Sequence, residues 1–167
     1  MQIELLEANL SHENAYMEIF SSNDVCRYTD ILPLQTLDDS RKFLEISEEK
    51  RKDRKLLRYS IVYERKIVGT ICLYSIYWHQ SRASIGYALS QNYWNKGLMT
   101  EAVCKIEGIA RNELNLNRLQ ATIIPENFSS KKVLDKRGFL FEGLLKQYEF
   151  WEGRGFVDLE MYSKILC

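Results

Sequence analysis

Residues 83–110 read ASIGYALSQNYWNKGLMTEAVCKIEGIA: an alternating strand, a loop carrying Gly97, and a helix with apolar residues at three-and-four spacing. A helix N-terminus leaves its first backbone N–H groups unpaired and carries partial positive charge. A strand entering a helix through a glycine-bearing loop therefore suits a phosphate or pyrophosphate. The strand also needs neighbours in a sheet, and the helix needs a sheet face to cover. The rest of the chain has to supply both.

It does so on either side. RYSIVYE, IVGTICLYSIY and RASIGYALS are period-two runs joined by the short turns RK and WHQS, which makes them antiparallel neighbours. In the helix, Leu98, Met99, Ala102, Val103, Ile106, Ile109, Ala110 and Leu114 form one apolar stripe. LQATII follows as a strand. Ile124 precedes Pro125 and must be extended, and Pro125 ends the ladder because it has no N–H to donate. This strand–helix–strand unit calls for a parallel crossover. A helix capped by Asn127 or Ser129 carries Val133 and Leu134, and Gly138 stands where a left-handed C-cap belongs. FLFEGLLKQYEFW and FVDLEMYSKIL, turning over EGRG, read as a terminal hairpin.

Before this core, residues 2–7 read as a first strand. A helix runs from a Ser11 cap to Phe20, with Ala15, Met17, Ile19 and Phe20 available for burial. Ser22 or Asn23 caps a short turn. Thr36 with Asp39 forms a capping box that opens a helix to about Asp53, whose tail EEKRKDRK is a solvated face. The expected fold is mixed α+β, one sheet with helices on both faces, in one domain spanning all 167 residues.

Composition narrows the function. Lys+Arg and Asp+Glu are equal at 23, so the formal charge is zero and direct nucleic-acid binding is not expected. Among the four cysteines there is no C-x-x-C pair, and no His stands at ligand spacing, so no metal is expected. They read as reduced thiols of a cytoplasmic protein, with Cys72 and Cys104 at core-type positions. The N-terminal residues do not have the pattern of a signal peptide, and no apolar run reaches the ~20 residues of a membrane span.

Three clusters could carry chemistry. In Trp94–Thr100, Gly97 lets backbone amides approach a phosphate, while Lys96 adds a charge and Thr100 a hydroxyl. The plainer reading is an ordinary loop-to-helix junction. Asn127 and Ser130 sit past a strand end, where ligands gather at a sheet's carboxyl edge, although both residues also serve as plain helix caps. Glu149, between Tyr148 and Phe150–Trp151, is a carboxylate among rings that suits a base. In an alternating strand it would ordinarily face outward, with Phe150 or Trp151 in the core. His12 and His79 read as surface residues.

SIGYALSQNYWNKGLMTEA, NFSSKKVLDKRGFLFEG and KQYEFWEGRGFVDLEMYSKI, in this order and spacing, resemble the GNAT acyltransferases, specifically the RimJ/RimL-type ribosomal-protein N-acetyltransferases. The resemblance implies a three-layer fold. Its central sheet is mixed and mostly antiparallel, with about seven strands splayed in the middle. It also implies acetyl-CoA as co-substrate. The pantetheine arm would lie between the strands ending near Ser90 and Ile124, beside the backbone of Tyr87, Ala88 and Leu89. The pyrophosphate would lie on Asn95, Lys96, Gly97, Leu98, Met99 and Thr100. The family's loop usually opens on Gln or Arg and closes on Gly or Ala. Here Trp94 and Met99 stand at those positions, so the backbone amides carry the expected contact. Asn127 would touch the pantetheine, Ser130 would face the thioester sulfur, and Glu149 would act as a base through water. The implied acceptor is a protein N-terminal α-amine, with its site built partly by Cys26 to Leu37. The alternatives are a small amine (polyamine, amino sugar, antibiotic or amino acid) or a weakly catalytic acyl-CoA-binding regulatory module. The family also implies a homodimer or higher homo-oligomer, for which the aromatic terminal hairpin offers an interface.

Overall fold

The computed structural model describes residues 2–166. Seven strands form one sheet: β1 (Glu4–Glu7), β2 (Leu56–Tyr63), β3 (Lys66–Tyr77), β4 (Arg82–Leu89), β5 (Arg118–Ile123), β6 (Leu140–Trp151) and β7 (Gly155–Ile165). Their order is β1-β2-β3-β4-β5-β7-β6, and only β4 and β5 run parallel. The helices are α1 (Glu13–Phe20), α2 (Asn23–Cys26), α3 (Leu37–Lys52), α4 (Leu98–Asn112) and α5 (Phe128–Lys136). The expected mixed sheet is thus present, and the α4 crossover joins its parallel pair.

Local chemistry accounts for the boundaries. Thr36 accepts from the Asp39 N–H while the Asp39 carboxylate accepts from the Thr36 N–H, which closes the capping box of α3. Ser22 caps α2 by accepting from the Val25 N–H. Asn9, not Ser11, caps the first turn: its side chain accepts from the Ser11 N–H, and a short 3-10 turn leads into α1. That shift of register buries Tyr16, Ile19 and Phe20 and leaves Ala15 and Met17 half-buried.

The core splits along the sheet. Leu98, Ala102, Val103, Ile106 and Ala110 of α4 pack with Ile71, Leu73, Ile85 and Leu119 on one face. On the other, Tyr16, Phe20 and Leu44 of α1 and α3 pack over Ala88. Cys104 is exposed, contrary to its expected core position, because it lies on the far side of α4 from the stripe of Ala102, Val103 and Ile106. Trp151 is buried against Ile124 and Leu159, whereas Phe150 faces outward.

β4 pairs with β3 from Ser84 through Leu89, and this contact needs Gly69. A Cβ at Gly69 would lie 2.5 Å from the Ala88 carbonyl oxygen and 2.9 Å from the Leu89 Cδ1. Overpacking of this kind costs about 1–3 kcal/mol. Gly69→Ala is therefore expected to lower Tm by roughly 3–10 °C for a chain of this size. A thermal melt superimposable on that of the parent protein would contradict the close approach.

Candidate active site

The sheet opens at its parallel pair. Arg82, Ala83 and Ser84 of β4 pair with Arg118, Leu119 and Gln120 of β5, and there the pairing stops. The Gln120 Nε2 donates to the Ser84 Oγ at 3.2 Å at the last paired position. Beyond it each strand is held only from outside, β4 by β3 as far as Leu89 and β5 by β7 as far as Ile123. The Ser90 N–H donates to the Val68 carbonyl, so alternation along the β3–β4 ladder turns the peptide groups of Tyr87 and Leu89 toward the gap. Trp94 occupies one of them, its Nε1 donating to the Leu89 carbonyl at 2.7 Å. This is the work of the residue that replaces the family's usual Gln or Arg.

From the gap the chain enters the loop before α4. Asn95 (φ 59°) and Gly97 (φ 78°) are both left-handed, and no side chain caps the helix. The N–H groups of Asn95 through Thr100 have no protein acceptor among the described residues. Successive free amides at a helix N-terminus make a concave anion site. Gly97, Asn95, Leu98, Met99 and Thr100 line the cavity here. Lys96 is not among the lining residues, and its ammonium lies 5.0 Å from the centroid of the Tyr93 ring. Lys132 and Lys136, one turn apart on α5, bring positive charge to the same cavity.

The start of α5 stands across the gap from β4. The Asn127 Oδ1 accepts from the Ser130 N–H at 3.1 Å, so Asn127 does cap the helix, which leaves its amide NH2 free. The Tyr87 hydroxyl donates to the Ser130 carbonyl at 3.4 Å, and burial holds that phenol well above its ordinary pKa. The Ser130 side chain lines the cavity without a protein hydrogen bond.

The opposite end lies on the α1–α3 face of the sheet. Directly paired residues point to one face. Arg58 pairs with Cys72 and Cys72 with Gly86, and Tyr74 and Thr122 share that face. A Cβ on Gly86 would come within 3.3 Å of the Tyr74 ring, so the glycine lets Tyr74 lie across β4. Burial raises the Tyr74 phenol to about 12, with Thr122 beside it offsetting part of the rise. Glu149 arrives from β6 on the same face. It does not face outward as strand alternation alone suggests. Its Oε2 accepts from the Trp151 Nε1 at 3.0 Å, and both side chains line the cavity. Arg154, in the hairpin turn, donates to the Arg27 carbonyl at 2.8 Å, which brings the hairpin onto the segment after α2. Tyr28, Thr29, Asp30 and Ile31 of that segment cover this end.

Both ends join in one cavity of about 920 Å³, at the upper end of small-molecule sites. Arg58, Tyr74, Thr122, Lys132 and Lys136 were not singled out from sequence. The signal for Arg58 was present in RYSIVYE, where Arg58 and Ser60 put two polar side chains on one face of a strand that must be covered.

A split parallel pair, a free-amide helix start on one side and a carboxylate on the other suit an acyl-CoA-dependent transferase. Residues 2–140 match the profile of the acetyltransferase (GNAT) domain. The N-acetyltransferase p20 of Bacillus licheniformis, itself uncharacterised, is 32% identical over 97% of this chain and 92% of its own length. The ribosomal-protein-serine acetyltransferase of Escherichia coli is 25% identical over 80% of this chain and 74% of its own. Among solved structures, RimL, a ribosomal alpha-N-protein acetyltransferase in complex with coenzyme A, superposes with a TM-score of 0.90 at 22% identity, covering 99% of this chain and 94% of RimL. The microcin self-immunity acetyltransferase MccE, in complex with acetyl-CoA and AMP, superposes with a TM-score of 0.89 at 27% identity, covering 98% and 92%. The chain belongs to the GNAT acetyltransferase family. It is an acetyl-CoA-dependent N-acetyltransferase whose relatives include the RimJ/RimL-type ribosomal-protein enzymes.

The loop offers a direct test. Gly97 has open space around its Cα but a φ of 78°, which a β-branched residue adopts only with strain. Gly97→Val is expected to abolish acetyl-CoA binding in titration calorimetry while the far-UV circular dichroism stays that of the parent. An unchanged affinity would rule out these amides as the pyrophosphate site.

Proposed function

We propose that residues 1–167 form one domain that acetylates a protein N-terminal α-amine, with Ser130 and Glu149 in catalysis. The observation that carries this reading is the β4–β5 gap, with the free amides of 95–100 and Ser130 along it and Glu149 on the sheet face beyond. Bound acetyl-CoA supplies the acetyl group as a thioester. Tyr87, Ala88 and Leu89 lie along its pantetheine arm, the free Asn127 amide contacts that arm, and the loop from Asn95 to Thr100 holds the pyrophosphate.

Glu149 takes up, through water, the proton that the attacking amine gives away. A backbone N–H on the β4 edge meets the negative charge that develops on the thioester oxygen. The Ser130 hydroxyl hands a proton to the leaving sulfur and takes one back from solvent, so it ends the cycle as it began. Magnitudes favour an α-amine. With pKa ~8 its deprotonation at neutral pH costs about 1.4 kcal/mol, against about 4.6 kcal/mol for a lysine side chain. A single carboxylate working through water suits the smaller task. The ribosomal-protein relative supports a protein acceptor, in which case the enzyme works in the cytoplasm. Among the described residues no helix is long and apolar enough to cross a membrane.

MccE, solved with AMP, favours a second reading in which the acceptor is a small amine. An acceptor screen with acetyl-CoA, comparing N-terminal peptides with small amines by thiol release, decides between them. The exposed aromatics Phe141, Tyr148, Phe150 and Phe156 on the terminal hairpin support a homodimer or higher homo-oligomer. Light scattering showing a monomer at working concentration would remove that part.

Two variants test the roles. Ser130→Ala is expected to lower kcat by about 10- to 100-fold, the low end of general-acid effects, because a thiolate is a fair leaving group unaided. A folded Ser130→Ala protein with no turnover would require another role. Glu149→Gln is expected to lose rate at neutral pH and to recover as pH rises and the amine loses its own proton. A loss that is constant with pH would make Glu149 a binding residue.

A further inference from the structure

Arg58 and Lys50 line the acceptor end of the cavity, and neither makes an ion pair among the described residues. The guanidinium of Arg58 is half-buried, which makes the missing counter-charge costly. It is nonetheless firmly placed. Its Nε donates to the Ser47 Oγ at 3.1 Å, its Nη1 to the Thr70 Oγ1 at 3.4 Å, and it stacks 4.7 Å from the centroid of the Phe43 ring. Every one of these contacts is neutral, and they leave further N–H groups of the fork without a protein acceptor. Thr70 is fixed in turn by the Tyr16 hydroxyl, which also bonds Ser60, so the arginine stands on a buried polar network. Lys50 lies one turn beyond Ser47 on α3. The carboxylates that line the cavity, Asp24, Asp30 and Glu149, come from other elements.

We propose that Arg58, with Lys50 beside it, is an anion-reading subsite, and that the preferred acceptor carries a carboxylate or phosphate close to its amine. This rests on the amine-acetylation reading above. Arg58 stands two strands from Gly86, about 10 Å between backbones. An extended peptide covers that span in about three residues. The anion is therefore an acidic side chain at the second or third residue of a protein N-terminus, or the acid group of a compact amine. Arg58 binds it through its free N–H groups as a fork, and Lys50 adds a point charge.

The test uses matched acceptors: peptides with Asp or Asn at the second or third residue, and small amines as a free amino acid against its amide and an aminoalkyl phosphate against the aminoalcohol. With the parent protein, the acidic member of a pair is expected to show kcat/KM about 10- to 100-fold higher, the size of a charge-assisted hydrogen bond. Whichever pairs show the preference identify the source of the anion. In Arg58→Gln the preference falls to within about threefold, and in Lys50→Gln, whose side chain is exposed at the rim of the cavity, it weakens. Acetyl-CoA affinity stays that of the parent in both. Equal use of both members by the parent, or a full preference retained in both variants, overturns the subsite while leaving the transferase reading intact. Calorimetric titration of the same pairs into the enzyme–CoA complex judges the subsite independently of turnover. Tighter binding of the acidic members supports it even if no amine is acetylated, an outcome that would sink only the transferase reading. Equal binding overturns the subsite.

Discussion

Everything functional in this protein follows from the place where β4 and β5 stop pairing. After Ser84 and Gln120 the two strands share no further register, yet neither is left loose, because β3 holds one and β7 the other. The sheet therefore behaves as two half-sheets joined at one end. Two tyrosines stand at the opening on its two faces. Tyr87 reaches the Ser130 carbonyl on the α5 side, and the Tyr74 ring lies over Gly86 on the α1–α3 side. Burial raises the pKa of both phenols, so both stay protonated donors across the physiological range. Beyond Ser84 the inner edge of β4 is unpaired, and an extended chain can lie along it.

The opening also divides the labour of the two faces. On one side of the sheet, α4 and α5 start at the gap and point free amides and α5 lysines into it, which suits phosphates. On the other, side chains of β2, β3, β5 and β6 share a single shelf, because paired residues keep one face. The roof over that shelf is the segment after α2, held down at its edge by Arg154 on the Arg27 carbonyl. Holding one wall of the acceptor end thus depends on residues 127 positions apart in sequence.

This separation explains what the sequence could and could not reveal. The strand–loop–helix of 83–110, the capping box of Thr36 and Asp39, and the Asn127 cap are local signals, legible because their physics is contained within a few residues. Glu149 and Asn127 could be named as candidates, but strand alternation pointed Glu149 outward. Its inward direction follows from the pairing of β6 on β7, which sets its face, and the bond from Trp151, two residues on along the same strand face, holds the carboxylate there. Cys104 was misread because the three-and-four stripe is broad enough to admit neighbours that belong to the opposite side. Tyr74 and Thr122 were illegible for the same reason as Arg58: each is an ordinary strand residue until the register places them together. Gly86 is the clearest case. It looks like a weakness in a strand, and only the Tyr74 ring lying over it, where a Cβ would come within 3.3 Å, gives it a purpose.

The same logic bears on which part of the enzyme sets its substrate. The proposed cofactor end is built from backbone: free N–H groups, a strand edge and a left-handed glycine. Backbone contacts tolerate changes of side chain, which is how Trp94 and Met99 can stand in the loop without dismantling it. Trp94 even takes a structural task by closing the Leu89 carbonyl. The proposed acceptor end is built from side chains on a rigid shelf and from a loop roof. A single substitution there changes charge or shape without disturbing a ladder, since Arg58, Thr70 and Tyr74 keep their backbone pairing whatever they present. A fold arranged in this way can keep one acyl donor while its amine changes, and on the proposed reading the choice of amine falls to the shelf between Arg58 and Glu149.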